Sequence, residues 1–458
     1  MGRASERVGW RRQLTLALFW FGISFVWGAL LAVTLPFILV PEHAGPGSPA
    51  LVAPDAKNTA LSILETAGLL IALLVQPAAG AVSDHLHTRF GRRRPMIAIG
   101  ALGAVASLLL IAVSPSFIYL VGVYCLLQFS MNVAQGAYQG LLPDTVPPDQ
   151  RGRASGWLGV ATLAGNVAGV VVAGPLAPRT ACLVIGGMVL VTAAVTVTRV
   201  PERPSVDQSA TRIADRRPPL RPVAALRAYV AEFARYPDFC WVVLSRFLIF
   251  TSLAGIQRFA AYYIHDAYHG DYRLFGWNLG SAQTATSVVL AVIIVVGILT
   301  TYPAVRLSDV IGRRAVIVSA ALLGAVSFLL LFLATSLTQV ALFAIPAALC
   351  FGGVVSVDWA LMADLAPRSR AGKFLGFSNL ATAGSQAAAP TILGPVIDAV
   401  NAHTGTASGA TGTGGYRVLF ITGALFFIGG AVVLRRVRLT RIPDSDEDAP
   451  VSTRFAVT

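Results

Sequence analysis

The sequence predicts an all-α membrane protein, with twelve transmembrane helices in two six-helix pseudo-repeated halves. Three observations carry that expectation. Of 458 residues, 55% are apolar and only 12% charged, and the mean hydropathy is +0.69, whereas an average soluble domain is about 25% charged. The apolar residues come in long blocks, several exceeding the roughly 18 that mark a spanning helix. The charges are confined to the connections between blocks and are unevenly shared between alternate connections. This balance excludes a soluble enzyme.

In chain order the apolar blocks run 14–40, 59–83, 96–113, 116–142, 154–176, 181–198, 239–264, 282–305, 315–335, 338–363, 374–398 and 416–434. The first is too long for a cleavable signal peptide. An even number of blocks puts both termini on one side. The termini and the connections on that side carry 29 Lys and Arg. The opposite connections carry four, Lys57, Arg179, Arg273 and Arg417, and Arg246 and Arg258 fall inside the seventh block. Basic loops are retained in the cytoplasm, so the expectation is a multi-pass protein of the cell membrane with both termini cytoplasmic. The same asymmetry accounts for the net charge of +13 without a nucleic-acid partner. Only Lys57 and Lys373 are lysines, so the basic surface is almost entirely guanidinium. Cys125, Cys182, Cys240 and Cys350 each sit alone in an apolar block, with neither disulfide nor zinc spacing.

The longest connection divides the blocks six and six. Residues 1–198 form the first half, 199–238 a cytoplasmic linker, 239–436 the second half and 437–458 a tail. Pro201 to Pro222 is rich in proline and arginine and is expected to be irregular. Leu226, Tyr229, Val230 and Phe233 follow at helical spacing, which suits a short helix on the membrane surface or a plain linker helix. The external stretch Asn401 to Gly415 is rich in Gly, Thr and Ala and is expected to be mobile. The tail carries Asp444, Asp446, Glu447 and Asp448 and reads as disordered.

A repeat relates the halves. Ser83-Asp84 followed by Gly91-Arg92-Arg93-Arg94 ends the second block, and Ser308-Asp309 followed by Gly312-Arg313-Arg314 ends the eighth. Leu141-Leu142-Pro143-Asp144 ends the fourth block, and Leu361-Met362-Ala363-Asp364 ends the tenth. After each of these aspartates come a proline (Pro147, Pro367), a base (Arg153, Lys373) and a glycine (Gly156, Gly376) at the same offsets. Arg92 precedes Asp144 by 52 positions and Arg313 precedes Asp364 by 51. Two motifs in the same order at matched spacing define structural repeats, an arrangement that places a transport site near the bilayer midplane between them.

The Asp-x-x-Gly-Arg-Arg pattern of Asp309 to Arg314, with its longer copy from Asp84 to Arg94, resembles the signature loop of the major facilitator superfamily. Leu73-Leu74-Val75-Gln76-Pro77, Gly80 and the stretch Ser83 to Pro95 look like the sucrose-transporter branch, related to the glycoside–pentoside–hexuronide symporters. Phe25-Val26-Trp27 followed by Pro36, then Gln135-Gly136, Leu141 to Asp144 and Gly165-Asn166, are similar to the same branch. The superfamily resemblance spans the chain; the branch resemblance lies mainly in the first five helices. It implies the major facilitator fold and a secondary active transporter for a sugar or glycoside, expected to be a disaccharide. Such a protein works by alternating access as a monomer in the lipid bilayer, with protons as a candidate second partner and no cofactor.

Ionisable groups inside a membrane are costly and are functional candidates by default. Asp84, Asp144, Asp309 and Asp364, with Gly91, Arg92, Arg93, Arg94, Gly312, Arg313 and Arg314, form candidate gates at the cytoplasmic helix ends. A topology and folding signal is the alternative. Within the spans lie Glu65, Arg258 and Asp358. Glu65 and Arg258 could pair, or Glu65 could carry a proton, since a carboxyl removed from water holds one more readily; a purely structural role in a wet vestibule is the other reading. Asp358 reads as a solvated or amide-capped group rather than a ligand. Sucrose transporters carry an aspartate and, eleven residues on, an arginine in helix four, and alignment on Gln135-Gly136 puts Gln128 and Gln139 at those positions. Eleven residues are about three turns, so both face the same way. Both are neutral here, which keeps hydrogen-bonding capacity and removes the proton carrier from that helix. The candidate substrate-binding set is therefore Gln128, Asn132, Gln135, Gln139, Asn166 and Arg258. Amides that only bond neighbouring helices are the alternative.

No P-loop exists, because Lys57 precedes Asn58 and Lys373 precedes Phe374. His85 and His87 lack further ligands for a metal, and no catalytic arrangement is evident. The competing expectations are a drug or metabolite exporter of the same superfamily, a facilitator without proton coupling, and a transporter-like receptor or scaffold without flux.

Overall fold

The computed structural model describes residues 9–40, 50–86, 88, 90–147, 150–200, 202, 236–268, 270–365, 371–404 and 413–436; the side chains at 85, 142–143, 151–152, 363, 371–373, 375–377 and 379–380 are excepted. The expected linker helix around 226–235 and the tail 437–458 lie outside these residues, as does most of 401–415.

Among the described residues the elements are helical, apart from one small hairpin. They are α1 (Trp10–Leu39), α2 (Lys57–His85), α3 (Arg94–Ile111), α4 (Phe117–Thr145), α5 (Arg151–Ala173), α6 (Pro178–Arg199), α7 (Pro237–Ala267), α8 (Ala282–Ile311), α9 (Arg313–Phe332), α10 (Leu337–Phe343 and Ile345–Leu365), α11 (Ala371–Thr404) and α12 (Gly414–Arg436). Eleven of these are long and apolar enough to cross a membrane. The twelfth, α11, has the length, at 34 residues, but its Ala, Gly, Ser and Thr content leaves it less apolar. Between α7 and α8, β1 (Arg273–Leu274) pairs antiparallel with β2 (Trp277–Asn278). Its two-residue turn places Phe275 at φ 50° and Gly276 at φ 87°, the left-handed pair that such a turn requires.

Helix ends follow local chemistry. Pro95 and Pro178 sit in the first turns of α3 and α6, where a missing N–H costs nothing. Pro36 lies inside α1, and a π-helical turn at Leu30–Thr34 precedes it. The wider turn accommodates a ring that would crowd the preceding carbonyl of a regular helix. Pro77 and Pro303 stand at corresponding interior places in α2 and α8.

The chain forms two compact units. The first contains α1 to α6 together with the arginine-poor ends of α7, α8 and α11, from residues 1–215, 258–292 and 394–415. The second contains the remainder of α7, α8 and α11 with α9, α10 and α12. In the first unit, α1 packs on α5 and α6, α2 on α4, and α3 on α4 and α6. Small residues set the α1–α5 approach. A side chain at Gly165 would run into the backbone of α1 near Phe21, one at Gly169 would meet Phe25 and Ala29, and one at Gly28 would meet Asn166. Close backbone approach through small residues is how helices associate where no hydrophobic force separates protein from lipid. In the second unit, Ser245 and Ser252 donate to the carbonyls of Gly430 and Gly423 at 2.8 Å, tying α7 to α12. Phe328 stacks edge-on against Phe427 and Phe420, tying α9 to α12.

Gly169→Leu should therefore force α1 and α5 apart. Overpacking of this kind costs about 1–3 kcal/mol, so the detergent-solubilised variant should melt at lower temperature by a fluorescence size-exclusion thermal assay. An unchanged midpoint would contradict the packing described.

Candidate functional site

At the arginine-rich end of the first unit, three acids organise the loop between α2 and α3. Arg92 Nη2 donates to Asp144 Oδ1 at 2.6 Å and Arg93 Nε to Asp144 Oδ2 at 3.1 Å. Arg93 also bonds Asp84 and the Ser83 hydroxyl, and its side chain is 6% exposed. The hydrogen bond to Asp144 raises the Arg92 guanidinium above its ordinary pKa, against some desolvation. The third acid is Glu202. Its carboxylate accepts the backbone N–H groups of Arg92 (3.0 Å), Arg93 (2.9 Å) and Arg94 (3.2 Å). It thus satisfies the exposed amides at the start of α3 and opposes the positive helix end. Gly91 makes this possible: it stands at φ 96°, and a side chain there would occupy the place of the Glu202 carboxylate.

The second unit repeats part of this arrangement. Gly312 has φ 89°, Arg313 pairs with Asp364, and Arg313 Nη1 also donates to the Ala360 carbonyl at 2.5 Å. Asp309 is exposed and forms no ion pair with a described residue. Arg314 lies beside Arg313 and lines a cavity of about 680 Å³ with Arg435 and Asp364. Lys373 has no described side chain.

Within the spans, Arg258 Nε of α7 lies 3.1 Å from Glu65 Oε2 of α2, with side chains 14% and 6% exposed. The other Glu65 oxygen is buried without a hydrogen-bond partner among the described residues. One turn along α2, Gly68 leaves room for Gln128 and Tyr124 of α4. Gln128 Nε2 donates to the Tyr124 hydroxyl at 2.7 Å, and Asn132 Nδ2 donates to Gln128 Oε1 at 3.2 Å and to the Gln128 carbonyl at 2.8 Å. The structure thus brings together Glu65, Arg258, Gln128 and Asn132, and adds Tyr124. It leaves the other candidates apart: Gln135 is half-buried, Gln139 is exposed, and Asn166 bonds the Thr162 carbonyl of its own helix at 3.0 Å. Chemically, the cluster offers amide and phenol groups that both donate and accept, beside a paired cation and anion.

Asp358 is not the solvated group expected from the sequence. It is buried and ion-paired to Arg246 of α7. Arg246 Nε donates to Thr382 Oγ1 at 2.8 Å, and the guanidinium lies 5.3 Å from the Phe250 ring and 5.2 Å from that of Trp359. Both partners sit inside apolar blocks 112 residues apart, so no local pattern in the sequence links them.

A last group of charges stands at the arginine-poor end of α2. Lys57 pairs with Asp266 of α7, their side chains 2% and 0% exposed, and Asp398 of α11 bonds Asn58 and Thr59. The sequence reading missed this group and Glu202; the one available signal was an isolated lysine at the start of an apolar block. Among the described residues no three His, Cys, Asp or Glu side chains gather to hold a metal.

Comparison with known proteins agrees with this architecture. A sequence profile of the Major Facilitator Superfamily matches residues 44–296 and 242–456, and the chain belongs to that superfamily. It is a multi-pass membrane transporter rather than an enzyme. It is 32% identical over 158 residues to a general alpha-glucoside permease of Schizosaccharomyces pombe, a match covering 31% of this chain and 28% of the permease. It is 26% identical over 174 residues to a sucrose transport protein of Arabidopsis thaliana, covering 32% of this chain and 27% of that protein. A multi-drug resistance efflux pump of Streptococcus pneumoniae is 23% identical over 386 residues, covering 81% and 86%. The fold is similar to a bacterial homologue of the lysosomal transporter Spinster, with TM-score 0.70, 16% identity and coverage of 94% and 98%. It is also similar to a D-xylose–proton symporter, with TM-score 0.65, 15% identity and coverage of 95% and 100%.

The Arg246–Asp358 pair yields a test. Removing one member of a buried pair strands the other charge and costs about 3–5 kcal/mol, whereas replacing both with apolar residues is often near neutral. Asp358→Asn should therefore lower the melting temperature more than the double variant Arg246→Met with Asp358→Leu. Equal losses would show that the pair is not electrostatically closed.

Proposed function

We propose that this transporter moves a hydroxyl-rich solute, a sugar or glycoside of about disaccharide size, across the cell membrane by alternating access. The observation that carries the reading is the polar cluster of Glu65, Arg258, Tyr124, Gln128 and Asn132, buried among apolar helices. Hydroxyl groups both donate and accept, and amides and phenols match them in both roles. The glucoside- and sucrose-carrying relatives support this class over the stretch they match. Glu65 is the proposed proton carrier: a carboxylate oxygen without a hydrogen-bond partner is a place where a proton or a solute hydroxyl can be received. The neutral Gln128 leaves α4 without a carboxyl at that level. The arginine distribution supports placing both termini in the cytoplasm, which makes the Asp84, Asp144 and Asp364 ion pairs gates of the cytoplasmic side.

A second reading, export of a drug or metabolite, is favoured by the efflux pump of Streptococcus pneumoniae, which the chain matches over most of its length. Uptake of radiolabelled sucrose and maltose into proteoliposomes, with and without an inward proton gradient, separates the two. Accumulation above equilibrium supports a proton symporter; equilibration without accumulation supports a facilitator; no entry of either sugar favours export. In a symporter, Glu65→Gln should abolish gradient-driven accumulation and keep sugar counterflow. Loss of both would assign Glu65 to solute binding instead.

A further inference from the structure

Helix α2 begins without a cap of its own. Its N-cap residue is Ala56, which has no side chain able to accept a hydrogen bond, and a helix start leaves several N–H groups unsatisfied. The missing acceptor comes from Asp398 on α11. One Asp398 oxygen accepts from Asn58 Nδ2 at 2.7 Å and Asn58 N at 3.3 Å. The other accepts from Thr59 N at 2.7 Å and Thr59 Oγ1 at 2.6 Å. Beside this cap, Lys57 is buried against Asp266, with His265 Nδ1 2.9 Å from the same carboxylate and the Tyr262 ring 5.3 Å from the ammonium. One turn along, Gly394 of α11 lies flat on α2, where a side chain would meet the Asn58 carbonyl and Ser62.

We propose that Asp398 and Asp266 form an acid clasp on the start of α2, a latch that shuts the external mouth and must release for the transporter to open outward. The proposal rests on the alternating-access reading above. Two physical features suit these contacts to repeated opening. They are almost entirely polar or charged, and the facing residues are small: Asn58, Ser62 and Gly394. When such a contact parts, water solvates Lys57, both aspartates and the freed amides, so the loss of the ion pair is largely offset. An interdigitated apolar contact has no such compensation. The two acids also grip adjacent residues, 57 on one side and 58–59 on the other, so neither α7 nor α11 can leave without breaking charged bonds.

The experiment uses Ser62→Cys as a reporter, because this side chain is covered by Gly394 and is 3% exposed. The native cysteines are replaced by serine, and a membrane-impermeant maleimide is applied to right-side-out and to inverted vesicles with no solute present. With the latch intact, slow labelling is expected in right-side-out vesicles only. Asp398→Asn and, separately, Lys57→Gln should each speed it by roughly tenfold, as the mouth opens more often. The exchanged pair Lys57→Asp with Asp266→Lys should return the rate toward the parent's. Unchanged labelling in both single variants would overturn the latch. So would a reporter that never labels with the latch intact, because that contact is then static packing; this second measurement needs no latch variant to fold. Labelling from the inverted side would overturn the assignment of this end to the exterior. Since no solute takes part, a clasp that opens in a chain moving no sugar retains the latch and sinks the sugar reading.

Discussion

Charge neutralisation away from water constrains this molecule more than any other interaction. A lone ion among apolar helices is expensive, and the structure meets that cost by pairing ions across large sequence separations. Lys57 finds Asp266, Arg246 finds Asp358, and Arg258 finds Glu65. Each pair joins helices distant in the chain, so each fixes which helix faces which. Pairs of this kind add little net stability over apolar packing. Their value lies in geometry, because a misplaced helix would leave an unanswered charge. In the Glu65 pair one carboxylate oxygen is buried and unengaged by any hydrogen bond among the described residues.

The repeat shows how one local device can be kept while its surroundings diverge. Gly91 and Gly312 both adopt a left-handed backbone, φ 96° and 89°, immediately before an arginine run and a helix start. Any other residue would be strained at that point. In each unit the first arginines of the run reach an aspartate about fifty positions later, at the end of the fourth helix of that half. Glu202 then tightens the first copy by accepting three backbone amides. The turn and the arginine–aspartate bond belong to both copies, and Glu202 is described in the first alone.

How much of this could be read from the sequence depended on the range of the interaction. Twelve apolar blocks matched the helices to within a few residues, because burial in lipid is a property of each segment by itself. The glycine–arginine loops were legible because a backbone turn and its basic residues are contiguous. The pairing of Glu65 with Arg258 was one of the readings the sequence allowed, and the structure has it; the partner of Asp358 was not legible, since a charge in an apolar block announces its need for an opposite charge without saying where that charge stands. Asp398 was hidden for a related reason. Its work is to cap a helix that begins 341 residues earlier, and nothing near position 398 signals that role. Gln128 and Gln139 were legible as polar positions eleven apart, yet one is packed against Gly68 and the other is exposed, a difference that depends on neighbouring helices.

The burial of Lys57 has a consequence for the surface chemistry of the protein. The chain holds 35 basic residues and only two of them are lysines. One of the two is enclosed with Asp266 and Tyr262. An ammonium held in this way has no free electron pair to offer an electrophile, so acylating reagents and enzymes that modify amines find few targets on a strongly cationic protein. Its positive charge is consequently permanent, carried by guanidinium groups that neither acetylation nor ordinary pH changes will neutralise.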